Sequence, residues 1–461
     1  MFTGKPSRRD FMKTASAITV GTSAPVHILS HSVGSPIEPT YSANDKIRLA
    51  TIGMGTMGFG DTRTALLVPG VELVAVADCY EGRLQRAKEI FGESITTTRD
   101  FREILSRPDI DAVVIATPDH WHAQIATEAM RSGKDIYLEK PIVHDLEEGA
   151  GLIQTQKDTG SLVQVGSQRV SSIAYEKAGE LFRAGAIGTL NMVEAFYNRN
   201  SALGAWQYSI PTDASPETVD WKRFLGNAPK RSFDATRFFR WRNYWDYGSG
   251  VAGDLFVHLF SGVHFVVSAK GPSRVFSTGG LRHWKDGRDV PDVMMSLFDY
   301  SRSESHPEFN MSLQVNFADG SGGGEHFRFI GDEGMMTIRN SSVTLSRLAT
   351  RGAPGYGITT FSAKQQKEFL DSYRGKYPET EKTGMRDNTS VTYAAPRGYS
   401  DRLDHFRHFF NAIRSGGSLV EDSTFGLRAA APALLCNLSY QNGRAFSWDP
   451  EAMRLSSAQE I

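Results

Sequence analysis

Two cysteines in 461 residues, Cys79 and Cys436, lie far apart and outside any cysteine–histidine cluster, so neither a disulfide framework nor a structural zinc site is expected. Cys79 reads instead as a small core residue at the end of a buried strand. An excess of one charge is also missing. The 51 basic and 52 acidic side chains nearly cancel, and no lysine–arginine block interrupts the chain, which excludes the electrostatic footprint of a nucleic-acid-binding protein. No run reaches the roughly 20 strongly apolar residues that a membrane span needs. What is present is a globular composition: 40% hydrophobic and 11% aromatic residues are enough to bury two domain cores.

Near the start, Ser7-Arg8-Arg9-Asp10-Phe11-Met12-Lys13 resembles the twin-arginine export signal, and the weakly apolar run from Thr14 to Leu29 suits its middle region. Residues 1–43 are therefore expected to be export signal and linker, with processing before Asn44 and a periplasmic or otherwise exported mature protein.

From Lys46 the pattern changes. Ile47 to Ile52 reads as a strand running straight into Gly53-Met54-Gly55-Thr56-Met57-Gly58, a G-x-G-x-x-G that opens a helix. The first glycine allows a tight turn, the second lets backbone N–H groups of Thr56 and Met57 approach a pyrophosphate, and the third lets helix and strand pack closely. A second strand, Val71 to Ala77, ends in Asp78, twenty residues past Gly58, where a carboxylate accepts hydrogen bonds from adenosine ribose hydroxyls. Asp78 favours NAD, since it would repel a 2′-phosphate, but NADP stays open because Arg83 could stack on adenine, meet that phosphate, or be a solvated helix charge. The βα rhythm continues through strands at Ala112 to Ala116, Asp135 to Leu138 and Leu162 to Val165. The expected class is α/β: a Rossmann dinucleotide-binding domain over 44–166, a second α/β domain over 167–445 and a C-terminal tail, 446–461. Ligands of such sheets bind beyond the carboxyl ends of the strands, which puts Thr117, Pro118, His120, Trp121, His122, Glu139 and Lys140 at the nicotinamide end.

The ordered set Gly53-x-Gly55-x-x-Gly58, Asp78, Ala116-Thr117-Pro118 with His120-Trp121-His122, Glu139-Lys140-Pro141, Gly166-Ser167-Gln168-Arg169 and Gly253-Asp254-x-x-x-His258 resembles the family that includes glucose–fructose oxidoreductase, inositol dehydrogenase and the rhizopine-catabolism protein. The resemblance covers roughly residues 46 to 445. It implies a second domain with a large open, mostly antiparallel sheet whose outer face often forms an oligomer interface, so a homo-oligomer is expected. Strand-like runs at Arg274 to Leu281, Val293 to Tyr300, Asn310 to Phe317, His326 to Ile330 and Met335 to Ile338 fit that sheet. Residues 351–400 read as an insertion or long loop, and Asp401 to Arg414 and Phe425 to Tyr440 as amphipathic helices.

Oxidising a sugar alcohol needs a base for the hydroxyl proton as hydride leaves carbon, and a cation for the developing alkoxide. Asp254 and His258 are four apart, so on an α-helix they share a face and the carboxylate can orient the imidazole or stabilise its protonated form. The resemblance implies proton transfer by His258, support from Asp254, and stabilisation of the alkoxide or orientation of substrate by Lys140, with Glu139 nearer the cofactor ribose. Gln168 and Arg169 are further candidates on the cofactor and substrate sides. In the aromatic stretch from Phe238 to Gly248, Arg240, Arg242, Tyr244 and Tyr247 either line a carbohydrate pocket or pack the domain junction. A metal is not expected, because His120 and His122 lack a third ligand.

Three functions compete: an NAD(P)-dependent oxidoreductase of a sugar, polyol or glycoside; an NAD-dependent glycosidase or lyase working by transient oxidation and elimination; and a nucleotide-binding sensor without turnover. The sensor has no use for Lys140, Asp254 and His258 together. The family's NAD-dependent glycosidases tend to carry a Tyr-Pro-Thr-His type segment where this chain has Gly253 to His258. Export in the folded state would carry the nucleotide out already bound, so a tightly held cofactor recycled in place is expected.

Overall fold

A computed structural model of the chain describes residues 25–29, 46–347, 357–376 and 389–456. The twin-arginine motif, Ser7 to Lys13, lies outside the described residues. The first described strand, Val26–Ile28 (β1), belongs to the second of two sheets. The first sheet is made by Ile47–Ile52 (β2), Val71–Ala77 (β3), Thr96–Thr98 (β4), Ala112–Ile115 (β5), Asp135–Leu138 (β6) and Val163–Val165 (β7). All are parallel, in the order β4-β3-β2-β5-β6-β7. This is the doubly wound Rossmann order, in which winding reverses beside β2 and leaves a crevice at the carboxyl ends.

Helices on both faces explain why the strands read as continuous apolar runs: Leu49, Ala50, Val113 and Val114 are all wholly buried. One cover comes from far along the chain. The helix Asp401–Ser415 sets Phe406, Phe409 and Phe410 into a cluster with Ile47, Leu49, Ala65, Val68, Val114 and Tyr137, and the rings of Tyr137 and Phe406 stack at 4.2 Å.

The second sheet comprises β1 with Leu190–Asn198 (β8), Arg274–Gly280 (β9), Val293–Tyr300 (β10), Phe309–Asn316 (β11), Gly324–Gly331 (β12), Gly334–Arg339 (β13), Ser342–Arg347 (β14), Thr389–Ala394 (β15), Phe446–Asp449 (β16) and Arg454–Leu455 (β17). Its order is β1-β15-β14-β13-β12-β8-β11-β10-β9-β16-β17. Pairing is antiparallel except between β8 and β11 and between β1 and β15. The helices Ile173–Arg183, Val257–Val267 and Ser423–Asn442 cover its inner face. The alternation that buries Met294, Ser296 and Phe298 turns Met295 and Leu297 outward; with Phe276 on β9 they form an apolar outer face, each between 42% and 60% exposed.

Several boundaries differ from the sequence reading. Thr389–Ala394 and the helix Ala363–Lys376 occupy part of the stretch expected to be a loop, and β16 and β17 occupy the expected tail. Val26–Ile28, at the end of the apolar run assigned to the export signal, pairs with β15, where His27 stacks on Tyr393 at 5.4 Å. Val26–Ile28 and Thr389–Ala394 are short strands that pair with each other across more than 350 residues of chain, so local pattern alone does not mark them. Among the described residues no helix is long and apolar enough to cross a membrane.

Candidate functional site

A cavity of about 350 Å³ opens at the carboxyl ends of the Rossmann strands and runs between the two domains. At one end lies the glycine turn. Gly53 has φ +92°, and a Cβ there would stand 2.6 Å from the Ala116 carbonyl; one on Gly58 would stand 1.9 Å from the Gly53 carbonyl. A Cβ on Gly55 meets nothing within 4 Å, so the second glycine leaves open room at the start of the helix Thr56–Ala65. That helix has no side-chain cap and no acid in its first turn, leaving its N–H groups and positive dipole end for an anion. The Thr117 hydroxyl, buried beside this space, has no partner among the described residues. These features fit NAD: a phosphate-sized opening on a helix start, and an unpaired hydroxyl farther along.

At the adenosine end, Asp78 accepts hydrogen bonds from the backbone N–H groups of Met54 (2.7 Å) and Tyr80 (2.9 Å). Arg83 approaches the same carboxylate at 3.4 Å and lies 5.5 and 5.3 Å from the ring centres of Phe238 and Phe239, a cationic wall built from both domains. Phe238 and Phe239, in the stretch expected either to line a carbohydrate pocket or to pack the junction, are buried in the junction and border the adenosine end of the cavity.

At the other end, Lys140 leaves β6 and crosses the domain junction. Its ammonium donates to the Asp254 carboxylate (2.8 Å) and the Asp254 carbonyl (2.7 Å), and Arg242 donates to the same carboxylate oxygen at 3.1 Å. Burial raises the Asp254 carboxyl, but Lys140, Arg242 and Arg199 together hold it well below the usual carboxylate range. Asp254 therefore serves Lys140 rather than His258, against the expectation from spacing. The reason is local: Ala252–Phe256 is a π-helical turn, and its wider winding removes the shared α-helical face that positions four apart otherwise have. His258 is held from elsewhere. Its Nδ1–H donates to the Ser167 carbonyl at 3.2 Å, while burial, then Lys140 and Arg169, push its pKa well below the ordinary histidine value. The imidazole is thus neutral with its tautomer set, leaving Nε2 as a bare acceptor. The Tyr197 ring lies 6.4 Å from it, centre to centre.

Ser167 is anchored in turn. Its hydroxyl, and that of Ser261 at 2.8 Å, donate to Glu421, a wholly buried carboxyl that burial pushes up to about 7. Glu139 lines the cavity but is buried beside Asp61, and desolvation raises both carboxyls; the close packing explains Gly166, whose Cβ would stand 2.6 Å from the Glu139 carboxylate.

The sequence-predicted residues divide cleanly. Gly53, Gly55, Thr56, Met57, Asp78, Arg83, Thr117, Pro118, Trp121, Glu139, Lys140, Gln168, Arg169, Arg242, Asp254 and His258 line the cavity. Others do not. His120 bonds the Phe224 and Tyr247 carbonyls, and burial pulls its pKa down to about 4. Buried His122 sits between the carbonyls of Pro141 (2.7 Å) and Thr117 (3.0 Å), tying two cleft loops together. Arg240 donates to Tyr208 and Gln207, Tyr244 packs under Arg237, and Tyr247 is wholly buried; these pack the junction, because a ring-rich segment between domains finds more apolar area there than in the cleft. Arg169 reaches the cavity already committed, 2.6 Å from Glu325. Tyr197, Arg199, Tyr208, Trp241 and Arg402 also line it; Tyr197 and Arg199 stand at the end of β8, a strand the sequence reading did not place.

The oxidoreductase family with an NAD-binding Rossmann fold matches residues 47–167, and that family's C-terminal α/β domain matches residues 195–277. Scyllo-inositol 2-dehydrogenase (NAD(+)) of Bacillus subtilis is 37% identical over 145 residues, 31% of this chain and 42% of the relative. The alpha-N-acetylgalactosaminidase of Shewanella oneidensis is 30% identical over 213 residues, 41% of this chain and 45% of the relative. The match thus spans under half the length of these curated relatives. Among solved structures, levoglucosan dehydrogenase in complex with NADH and levoglucosan superposes with a TM-score of 0.62 at 20% identity, over 87% of this chain and 99% of the other. Scyllo-inositol dehydrogenase from Lactobacillus casei, with bound NAD(H) and scyllo-inositol, gives 0.58 at 18% over 87% and 99%. At these identities the superpositions establish the fold.

Proposed function

We propose that this chain, whose residues 47–167 and 195–277 match the models of that oxidoreductase family, is a member of it and an NAD-dependent enzyme that oxidises a hydroxyl of a sugar, polyol or glycoside. The observation that carries this reading is the pairing, in one cavity, of an ammonium anchored by Asp254 with a neutral histidine whose tautomer is set. NAD, held by the glycine turn, Asp78 and Thr117, supplies the acceptor for the hydride that leaves carbon. Lys140 hydrogen-bonds the substrate oxygen and stabilises the negative charge developing there. His258 Nε2 takes the hydroxyl proton, with Nδ1–H bonded to the Ser167 carbonyl throughout. Lys140→Ala and His258→Ala are each expected to retain folding and bound nucleotide while turnover falls roughly 10²- to 10³-fold; near-normal turnover in either removes that residue from the mechanism.

A second reading draws on the similarity to glycosyl hydrolase family 109 relatives: oxidation beside an acidic C–H, elimination of the glycosidic group, then reduction. Tyr197, whose ring centre lies 6.4 Å from that of His258, would share the proton abstraction in this reading. Release of an aglycone with no net ketone distinguishes it. We also propose, from the Ser7 to Lys13 motif, that the protein is exported folded with its nucleotide bound, and that turnover needs no free nucleotide; strict dependence on added NAD in proportion to product overturns this. The apolar outer face around Met295 and Leu297 is proposed to meet a second copy of the chain.

A further inference from the structure

The substrate end of the cavity carries more positive charge than it neutralises. Lys140, Arg199 and Arg242 face it, and the carboxylate set among them is Asp254, ion-paired with Lys140 and Arg242 and reached by Arg199 only at longer range, so three cations share one anion. The other cavity carboxyls do not compensate. Asp78 is at the adenosine end with Arg83, and buried Glu139 lies beside Asp61 with its carboxyl raised. Arg169 is already balanced by Glu325, and His258 is neutral.

Arg199 is the residue left over. It follows β8, and among the described residues no carboxylate lies within ion-pair distance of it. One amino group of its guanidinium donates to the Gly204 carbonyl at 2.8 Å, and the group lies 5.3 Å from the ring centre of Tyr197 and 5.6 Å from that of Phe317. That packing holds a planar fork in place with most of its donors unspent, and the Tyr197 ring it lies against is 6.4 Å, centre to centre, from the His258 ring. A fixed guanidinium of this kind is matched by a planar or tetrahedral oxyanion. A neutral sugar would leave it, and the surplus charge, uncompensated in a partly dry cavity.

We propose that the substrate is an acidic sugar, carrying a carboxylate or a sulfate ester that Arg199 binds while Lys140 and His258 address the reacting hydroxyl. This rests on the oxidoreductase reading for the reaction and on Arg199 for the substituent.

The NAD-loaded enzyme is titrated with three rings that differ at one carbon: a methyl glucoside, the matching glucuronide and the 6-sulfate. Calorimetry reads binding and nicotinamide absorbance reads oxidation. One or both anionic rings are expected to bind roughly 10- to 100-fold tighter than the neutral one, and which of them does identifies the oxyanion. Arg199→Gln should collapse that ratio, and Arg199→Lys should restore part of it. Should Arg199→Gln fail to fold, the wild-type preference must still weaken with added salt. Equal binding of the three rings, or a preference unchanged in the folded variants, overturns the acidic-substrate proposal even if neutral sugars are oxidised. Arg199-dependent binding without oxidation of any ring leaves it standing and defeats the oxidoreductase reading instead.

Discussion

Replacing Asp254 by asparagine tests the central geometry, because shape is kept while the charge that two cations share is lost. At 2.8 Å from Lys140 and 3.1 Å from Arg242, with an effective dielectric of about 20, each attraction is about 5–6 kcal/mol before desolvation. Removing one partner of such a buried arrangement costs about 3–5 kcal/mol, since the remaining charges stay buried without compensation. Lys140 keeps its bond to the carbonyl of residue 254, so the ammonium should stay near its place. The decisive assay is a pair of double-mutant cycles read by denaturant unfolding at one saturating NAD concentration. Asp254→Asn with Lys140→Met should show a coupling of about 2–3 kcal/mol, whereas Asp254→Asn with His258→Asn should stay within about 0.5 kcal/mol. A larger coupling to His258 than to Lys140 would refute the assignment and restore the helical Asp–His pair that spacing alone implies.

Gly55→Ala should leave the melting temperature unchanged, because its Cβ meets nothing in the chain, yet equilibrium dialysis should show weakened NAD binding; Gly58→Ala, driven against the Gly53 carbonyl, should lose both. Glu421 gives a pH-dependent signature. Its folded pKa of about 7 lies above an unfolded value near 4.5, so the folded state holds the extra proton between these values and stability falls as pH rises from about 4.5 through 7, by about 3 kcal/mol in all. Glu421→Gln should therefore gain on the wild type as pH goes from 5 to 8 in thermal melts, and a constant difference would show that the carboxyl is already ionised when folded. Met295→Glu together with Leu297→Lys should convert an oligomer to a monomer in light scattering, since both side chains are exposed and distant from the cavity; an unchanged mass would place the interface elsewhere.

The nucleotide half was legible because its signals are local. A strand, three spaced glycines and an acid at the end of the next strand are each set by backbone sterics within about 30 residues, and the parallel sheet's two-sided burial writes unbroken apolar runs. The second domain was legible where alternation is clean, as in Val293–Tyr300. It was not in Leu190–Asn198, where half-buried Glu194, Phe196 and Tyr197 blur the period, and Tyr197 and Arg199 went unnoticed with it. Asp254 was recognised, but its partner was not: a π-turn leaves no mark in residue spacing. In the aromatic stretch, Arg242 turns into the cavity while Arg240, Tyr244 and Tyr247 turn away, a choice made by the three-dimensional junction rather than by composition.

The helix that seats Phe406, Phe409 and Phe410 against the Rossmann sheet also affects how the protein is made. Gln164, on β7, hydrogen-bonds His405 across 241 residues of chain. At about 5–20 residues per second, translation delivers that helix roughly 10–50 s after the sheet it covers. Throughout this interval the nascent nucleotide domain shows the ribosome's surroundings a bare apolar face, which a chaperone or the ribosome itself must shield. Arg402, from the same helix, lines the cavity, so the pocket is finished only when this helix has docked. Nucleotide capture is therefore expected to report the docking of this helix on the sheet.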